Sequence, residues 1–288
     1  WLSSNKTVDL AFLWRMHQPW YRDPTSDEVL LPWVRLHAAS SYTDMASHLA
    51  DHDVARATVS FSPVLLDQID HYRDGGDDVY VDLTLRPADE LTMEERTFLL
   101  RRFFSTHWQR VLLPVPRYRE LLDLRGRDTP QDGWETAHQR FTPDDMRDLQ
   151  VLFNLVWLGT TAASDDAIRA LQERGRDYTE NDKVVVLDKQ RELIAGLVPT
   201  WKALQAAGKV ELAGAPYYHP VLPLLIDSDT ARRPMPKINL PDRFAHQDDA
   251  GRQIGAGLAR LEQVFGQPPA GFWPPQAAAR PTRPGSAW

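Results

Sequence analysis

The sequence predicts an α/β protein in which parallel strands alternate with helices and form part of a barrel. Two observations lead to this fold class. Short apolar segments are followed by turns and then by segments with helical spacing of their apolar residues, which is the pattern of strand–helix units in a parallel sheet. Four such strands are found in 288 residues, and the chain ends soon after the fourth, as expected for part of a barrel.

Each predicted strand is a short apolar run bounded by polar residues, prolines or glycines. The first, TVDLAFLW, precedes a His-Gln-Pro turn, and the second, ARATVSF, is rich in β-branched residues and precedes a proline. The third, KVELA, follows a long helical segment, and the fourth, GFW, runs into two prolines. These strands cover residues 7–14, 55–61, 209–213 and 271–273.

The predicted helices have apolar residues at helical spacing and recognisable ends. The pair Gly75-Gly76 ends one helix, and Thr142-Pro143 begins another. The longest helix contains Pro199, and we expect it to be kinked or split there. The helices are predicted at residues 40–50, 64–72, 91–108, 116–124, 143–159, 182–207 and 248–265.

The chain is expected to contain one partial barrel domain, residues 1–275, followed by a tail. Residues 77–178 carry helical segments but no clear strand, which predicts a helical insertion within the barrel. Residues 276–288 (QAAARPTRPGSAW) have no acidic residue and no periodicity. This composition, rich in alanine, arginine and proline, predicts a disordered tail.

Composition argues against several classes of function. The net charge of -7 argues against a nucleic-acid partner. The absence of cysteine excludes disulfides, thiolate metal sites and a cysteine nucleophile, and it suits a cytoplasmic protein. No apolar run is long enough to cross a membrane. We expect no metal, no cofactor and no membrane partner, and the sequence does not determine an oligomeric state.

Three clusters of residues that could take part in binding or catalysis lie at predicted strand ends, where parallel α/β folds assemble their sites. The first is WRMHQPW, the second joins Glu211 to the segment YYHP, and the third is GFWPPQ. Histidine, glutamine and tryptophan side chains in such turns can bind sugar hydroxyls or the apolar face of a sugar ring. The candidate residues are Trp14, His17, Gln18, Trp20, Glu211, His219 and Trp273.

Structural roles compete with binding roles at these positions. His17 could be a hydrogen-bonded structural histidine, and Glu211 could be a solvent-facing charge on a half-buried strand. Asp227 could bind sugar hydroxyls or cap a helix. His37 and Asp44, in RLHAASSYTDM, are expected to be structural more often than substrate-binding.

Taken in order, the segments LAFLWRMHQPWYRDP, LLPWVRLHAASSYTDM, KVELAGAPYYHPVLPLL and FGQPPAGFWPPQ resemble glycoside hydrolase family 57, over about residues 9–276. The resemblance implies the N-terminal part of an incomplete (β/α)7 barrel. It also implies a retaining mechanism on α-glucosidic bonds, with an α-glucan or maltooligosaccharide as the partner. The family includes amylases, amylopullulanases, branching enzymes and 4-α-glucanotransferases, and the sequence does not distinguish hydrolysis, transfer and branching.

The resemblance assigns roles residue by residue. His17 is similar to the histidine of the first family motif, Glu211 and His219 fall in the second, and Trp273 in the third. The residue after Trp-Pro-Pro is the family's glutamate nucleophile, and here it is Gln276. An amide has no negative charge with which to form the glycosyl ester. No residue matches the family's acid/base aspartate, so we expect this chain to be catalytically incompetent.

Three interpretations of the chain remain open at this stage. A reading-frame change near codon 276 would produce both the glutamine and the unusual tail, and the chain would then be truncated. A non-catalytic α-glucan-binding pseudoenzyme is the alternative. A metal-dependent deacetylase is a weaker one, which would require His17, His37 and His219 to converge on a metal.

Overall fold

A computed structural model describes residues 10–128 and 133–275. Its sheet contains four parallel strands in the order β1-β2-β3-β4, which is also their order along the chain. The predicted α/β class with a parallel sheet and many helices is confirmed. The strands are β1 Leu13–Met16, β2 Ala57–Phe61, β3 Val210–Gly214 and β4 Gly271–Phe272.

The first strand lies later than the sequence predicted. It includes Arg15 and Met16, and the backbone ladder continues where the Ser62 amide donates to the Met16 carbonyl at 2.9 Å. The prediction ended with the apolar run at Trp14, before the His-Gln-Pro turn, and left the charged Arg15 outside the strand. In a strand, successive side chains alternate between the two faces. Arg15 is exposed on one face while Met16 is buried on the other.

Aromatic side chains pack one face of the sheet against the helices. The Phe61 ring lies 5.5 Å from the ring of Trp201 and 5.5 Å from that of Phe265, and Trp14 contacts Trp201 edge-on at 6.5 Å. Trp201 is fully buried. The other face carries Leu13, Arg15, Thr58 and Glu211, and it is more exposed than parallel sheets usually are.

The helices are α1 Trp33–His37, α2 Thr43–Asp51, α3 Pro63–Arg73, α4 Val79–Leu85, α5 Met93–Arg102, α6 Pro116–Arg125, α7 Trp134–Ala137, α8 Pro143–Leu155, α9 Asp166–Arg174, α10 Glu180–Ala206, α11 Leu222–Ile226 and α12 Gln247–Phe265. None of the helices in the described ranges is long and apolar enough to cross a membrane.

The long helix α10 continues through Pro199, so of the two predicted outcomes, a kink or a split, the split does not occur. A proline removes one helical hydrogen bond, but tertiary packing can hold the helix together. Here Leu197, Trp201 and Leu204 on the two sides of Pro199 are buried. The prediction of a helix over residues 91–108 was also too long, because α5 ends at Arg102, before the buried side chains of Phe103 and Phe104.

The chain divides into two compact units. The described part of the first comprises residues 10–20, 49–68 and 198–275 and contains the sheet. The second comprises residues 21–48 and 69–197 and, where it is described, contains helices and one isolated antiparallel bridge between Arg22 and Val29.

A buried polar network lies in the second unit. Asp78 is paired with the Arg35 guanidinium, with Nε–Oδ2 at 2.8 Å, and both side chains are almost fully buried. The Tyr72 hydroxyl and the backbone amides of Tyr80 and Val81 also donate to Asp78, which thereby caps α4. Asn154 accepts from the same guanidinium at 2.9 Å. Burying these charges is tolerated because each finds several partners.

Candidate functional site

The ends of the strands in the first unit bring together side chains that are far apart in sequence. Residues that follow β1, β2, β3 and β4 include His17, Ser62, His219 and Trp273, respectively. The amide of Trp273 donates to the Gly214 carbonyl at 2.8 Å, which continues the sheet ladder beyond β4. Because the strands are parallel, these residues lie at one edge of the sheet, the carboxyl-terminal edge.

His17 and His219 form a stacked pair at this edge. Their ring centroids are 4.0 Å apart and the ring planes differ by 13°. Nδ1 of His17 forms a hydrogen bond with the Ser62 hydroxyl at 2.8 Å. Ser62 is buried, so it fixes the orientation of the His17 ring from behind.

The electrostatic environment keeps this pair neutral. Burial lowers the pKa of His17, and the nearby positive charge of Arg15 lowers it further. Burial, followed by His17 and Arg15, lowers the pKa of His219 to about 4. At neutral pH each ring therefore offers one donor and one acceptor nitrogen. Such groups suit hydroxyl-rich, uncharged ligands better than anions.

A second set of contacts holds the loop before His219. The Tyr217 hydroxyl donates to the Asp67 carboxylate, and Arg260 Nε donates to the other oxygen of that carboxylate at 2.7 Å. Burial and this hydrogen bond raise the pKa of Tyr217. We call Asp67, Tyr217 and Arg260 the Asp67 clamp.

The other predicted residues at this edge are only partly enclosed. Gln18 is half-buried and Trp20 is 41% exposed. The carbonyl of Pro19 accepts from Gln68 Nε2 at 2.9 Å, which fastens the His-Gln-Pro turn to α3. The indole nitrogen of Trp273 is buried and has no hydrogen-bond partner among the described residues.

The comparison with protein families matches almost the whole chain. A family model described as "Glycosyl hydrolase family 57" covers residues 11–283. The chain belongs to glycosyl hydrolase family 57. The resemblance drawn from the HQP, YYHPVLPLL and GFWPPQ segments is therefore confirmed.

Three solved structures are similar to this chain at low sequence identity. A branching enzyme from Pyrococcus horikoshii is 18% identical, with 91% of this chain and 34% of that chain covered and a TM-score of 0.40. A branching enzyme from Thermococcus kodakaraensis is 15% identical, with 91% and 32% covered and a TM-score of 0.39. The α-amylase AmyC from Thermotoga maritima is 14% identical, with 91% and 34% covered and a TM-score of 0.39. The chain spans about a third of the length of these structures. A comparison with curated proteins found no match.

Two predicted residues of this family 57 chain lie away from the His17–His219 pair. Trp14 lies within β1 and packs edge-on against Trp201. Glu211 is exposed near the start of β3, where its carboxylate accepts from the Thr58 hydroxyl at 3.3 Å. It lines a cavity of about 640 Å³ that also includes Arg56 and Lys209, which directly precede β2 and β3. This cavity is at the opposite, amino-terminal ends of the strands.

Asp44 and Asp227, which the sequence left between structural and binding roles, both have structural partners. Gln276 lies outside the described residues. Asp44 accepts from the amides of Thr160 and Thr161 at 2.7 and 2.9 Å, so its carboxylate has structural partners in the second unit. Asp227 accepts from the Asp229 amide and caps the 3₁₀ turn Ser228–Arg232.

The described part of the chain contains no cluster of side chains suited to bind a metal ion. No group of three or more His, Asp or Glu side chains there is placed to hold a metal ion. His17 and His219 stack face to face, and His37 packs edge-on against Trp157 within the second unit, with ring centroids 5.2 Å apart. The stacked rings do not converge on a common point, as metal-binding histidines must.

Sequence reasoning missed Ser62, Arg15 and the Asp67 clamp. The only signal for Ser62 was its position directly after a strand, as for His17. Asp67 lies within the helix predicted over residues 64–72 and belongs to no recognised motif, and Arg260 lies 193 residues further along the chain. Long-range ion pairs of this kind leave no periodic signal.

Proposed function

We propose that the carboxyl-terminal edge of the sheet binds an α-glucan as part of a retaining glycoside hydrolase or transglycosylase site. The observation that carries the proposal is the stacked, neutral His17–His219 pair in a chain that belongs to glycosyl hydrolase family 57. Neutral imidazole nitrogens match sugar hydroxyls, which both donate and accept. Trp20 and Trp273 would contact the apolar faces of sugar rings, and Gln18 would bind further hydroxyls.

The geometry of the site suggests how each histidine of the pair would bind a sugar hydroxyl. Ser62 holds the His17 ring through Nδ1, so Nε2 of His17 is the nitrogen that a sugar hydroxyl would meet. His219 would bind a neighbouring hydroxyl from the stacked position. Burial, with a smaller effect of Arg15, lowers the pKa of both rings, which preserves one acceptor on each ring at neutral pH.

A retaining mechanism needs two carboxyl groups about 5 to 5.5 Å apart, one of which attacks the anomeric carbon. In this chain Gln276 occupies the position that the resemblance gives to the nucleophile. Removing a nucleophile lowers the rate by roughly four powers of ten or more. We therefore propose that the chain binds glucan without turning it over, and a glucan-binding pseudoenzyme is the alternative to an inactivated hydrolase.

The finer fold assignments are part of the same proposal. The four-stranded parallel sheet would be the N-terminal part of an incomplete (β/α)7 barrel, with residues 77–178 as a helical insertion. The tail predicted for residues 276–288 lies outside the described residues. The exposed sheet face that carries Arg15 and Glu211 supports a barrel interior, since that face would be enclosed by further strands. The absence of cysteine supports a cytoplasmic location.

Binding can be measured by calorimetry with maltoheptaose, with cellohexaose as the β-linked control. We expect binding of the α-glucan and a loss of about three- to tenfold in affinity for His17→Ala or His219→Ala, the value of one neutral hydrogen bond. His52→Ala, an exposed histidine of the same unit, is the matched control and should bind normally. Equal binding of both glucans, or none, would contradict the proposal.

The role of position 276 can be tested with α-maltosyl fluoride, whose leaving group needs no acid catalyst. In Gln276→Glu the new carboxylate would attack C1 and expel fluoride, leaving a maltosyl ester on the protein. Intact-protein mass spectrometry should show this adduct for Gln276→Glu but not for the unaltered chain. Gln267→Glu, on an exposed residue before β4, is the matched control. An adduct on the unaltered chain would show that Gln276 does not explain the lack of turnover.

A further inference from the structure

His219 has a backbone conformation that residues with a Cβ atom rarely adopt. Its φ is +58°, in the left-handed region. Its amide donates to the Pro216 carbonyl at 3.1 Å, which closes a tight turn. A conformation of this kind persists only where the surrounding structure imposes it. The contacts of residues 215–219, which we call the His219 loop, therefore decide where the imidazole lies.

The first fastening is the Asp67 clamp. Asp67 lies on α3. One oxygen of its carboxylate accepts a hydrogen bond from the Tyr217 hydroxyl, and the other accepts one from Arg260 Nε on α12. The Tyr217 carbonyl accepts from the Val64 amide at 3.2 Å, in the first turn of α3. One residue of the loop is thus bound to α3 through both its side chain and its backbone.

The second fastening is the close approach of the loop to α12. The Tyr217 amide donates to the Gln253 carbonyl at 2.9 Å, and the Tyr218 amide donates to the Gln253 side chain at 2.9 Å. Gly257 lies on the same helix and is buried. A Cβ at this position would come within 2.2 Å of the Ala215 carbonyl oxygen. Only glycine allows the helix and the loop to be this close.

The contacts with α3 and the contacts with α12 therefore hold the same few residues of the His219 loop. We propose that Gly257 and the Asp67 clamp are positioning residues, which hold the His219 loop so that the His219 ring stacks on His17 and faces the ligand. The identity of the ligand rests on the proposed glucan-binding function, whereas the positioning itself does not. Neither α12 nor Asp67 needs to touch a sugar for this role.

Two glycines of α12 make a matched pair for the test. Gly257→Ala would push the loop away from the helix, whereas Gly255→Ala adds a methyl group with no atom within 4 Å. Both changes raise helix propensity equally, so the collision with the loop at the buried Gly257 distinguishes it from the exposed Gly255. Tyr217→Phe is a milder variant, since it removes only the hydroxyl that donates a hydrogen bond to Asp67.

The readout is the titration of the histidine side chains by NMR, together with maltoheptaose affinity. The groups that face the His219 ring are His17 and Arg15. Burial of His219, followed by the electrostatic effects of His17 and Arg15, lowers its pKa to about 4. In Gly257→Ala and Tyr217→Phe we expect this pKa to rise toward 6.5 as the ring leaves the stack, with affinity falling about tenfold in Gly257→Ala. Gly255→Ala should change neither.

The outcomes separate the positioning role from the proposed function. A raised His219 pKa in either variant, with Gly255→Ala unchanged, supports positioning even if the unaltered chain binds no glucan, in which case the proposed function alone fails. Folded Gly257→Ala and Tyr217→Phe with an unchanged His219 titration would overturn the positioning role. If Gly257→Ala does not fold, Tyr217→Phe alone decides the matter.

Discussion

The imidazole rings of His17 and His219 stack at 4.0 Å although the residues lie more than 200 positions apart in sequence. The stack depends on two strand ends of one parallel sheet and on a loop held in a left-handed turn. Burial, together with the positive charge of Arg15, lowers the pKa of both rings, so both are neutral at pH 7. The stacking of the two rings therefore affects the stability of the protein as well as ligand binding.

The first prediction concerns the stability of the protein at mildly acidic pH. The folded-state pKa of His219 is about 4, below the value of 6.5 in an unfolded chain. Between these values the unfolded state binds more protons, so stability is complete above pH 6.5 and falls as the pH drops toward 4. The urea midpoint should therefore fall less between pH 7 and pH 5 in His219→Gln than in the unaltered chain. A parallel decline in both proteins would show that His219 is not responsible.

The second prediction concerns the buried ion pair of the second unit. Asp78→Ala leaves the Arg35 guanidinium buried without its main partner, and removes the cap of α4. The cost should be about 3 to 5 kcal/mol. Asp74→Ala removes an exposed partner of Arg73 and should cost less than about 1 kcal/mol. Urea denaturation of the two variants tests this difference, and equal midpoints would contradict it.

The third prediction concerns Asp44, whose carboxylate was a possible sugar ligand from sequence. A Cβ at Gly159 would lie 2.3 Å from an oxygen of that carboxylate. Gly159→Ala should therefore displace Asp44 from Thr160 and Thr161 and destabilise the protein by about 1 to 3 kcal/mol. Gly196→Ala, on the exposed surface of α10 with no atom within 4 Å, should instead stabilise it by about 0.5 to 1 kcal/mol. Thermal melts that shift in the same direction would refute the assignment.

The fourth prediction separates two tryptophans of the first unit. Trp201→Ala opens a cavity beside Trp14 and Phe61 and should cost about 3 to 5 kcal/mol. Trp20→Ala, at a residue that is 41% exposed, should change the urea midpoint little but weaken maltoheptaose binding. If the Trp20 variant binds as tightly as the unaltered chain, Trp20 is not part of the sugar site.

Local patterns were sufficient to predict several elements. The strand Ala57–Phe61 and the helix Pro143–Leu155 begin close to their predicted starts, because β-branched residues and a threonine-proline cap act over a few residues. Elements with weaker patterns were missed, including α4 Val79–Leu85 and α9 Asp166–Arg174. Each directly follows an aspartate, Asp78 or Asp165, whose side chain caps the helix.

The site was predicted less completely than the fold. Sequence position placed His17 and His219 at strand ends, and the structure brings them into contact. Glu211 belongs to the same motif as His219, yet it lies at the other end of β3, because a strand rises about 3.3 Å per residue and separates residues that are close in sequence.

The sequence by itself determined the family, the α/β class with its parallel sheet, and the identity of the residue at position 276. These depend on short motifs and on periodicity, which are properties of neighbouring residues. Only the tertiary structure decided that two histidines stack, that Ser62 orients one of them, and that Asp67 and Gly257 hold the loop of the other. Those relationships join distant segments through contacts of a few ångströms, and the distances depend on how strands and helices pack rather than on any local pattern.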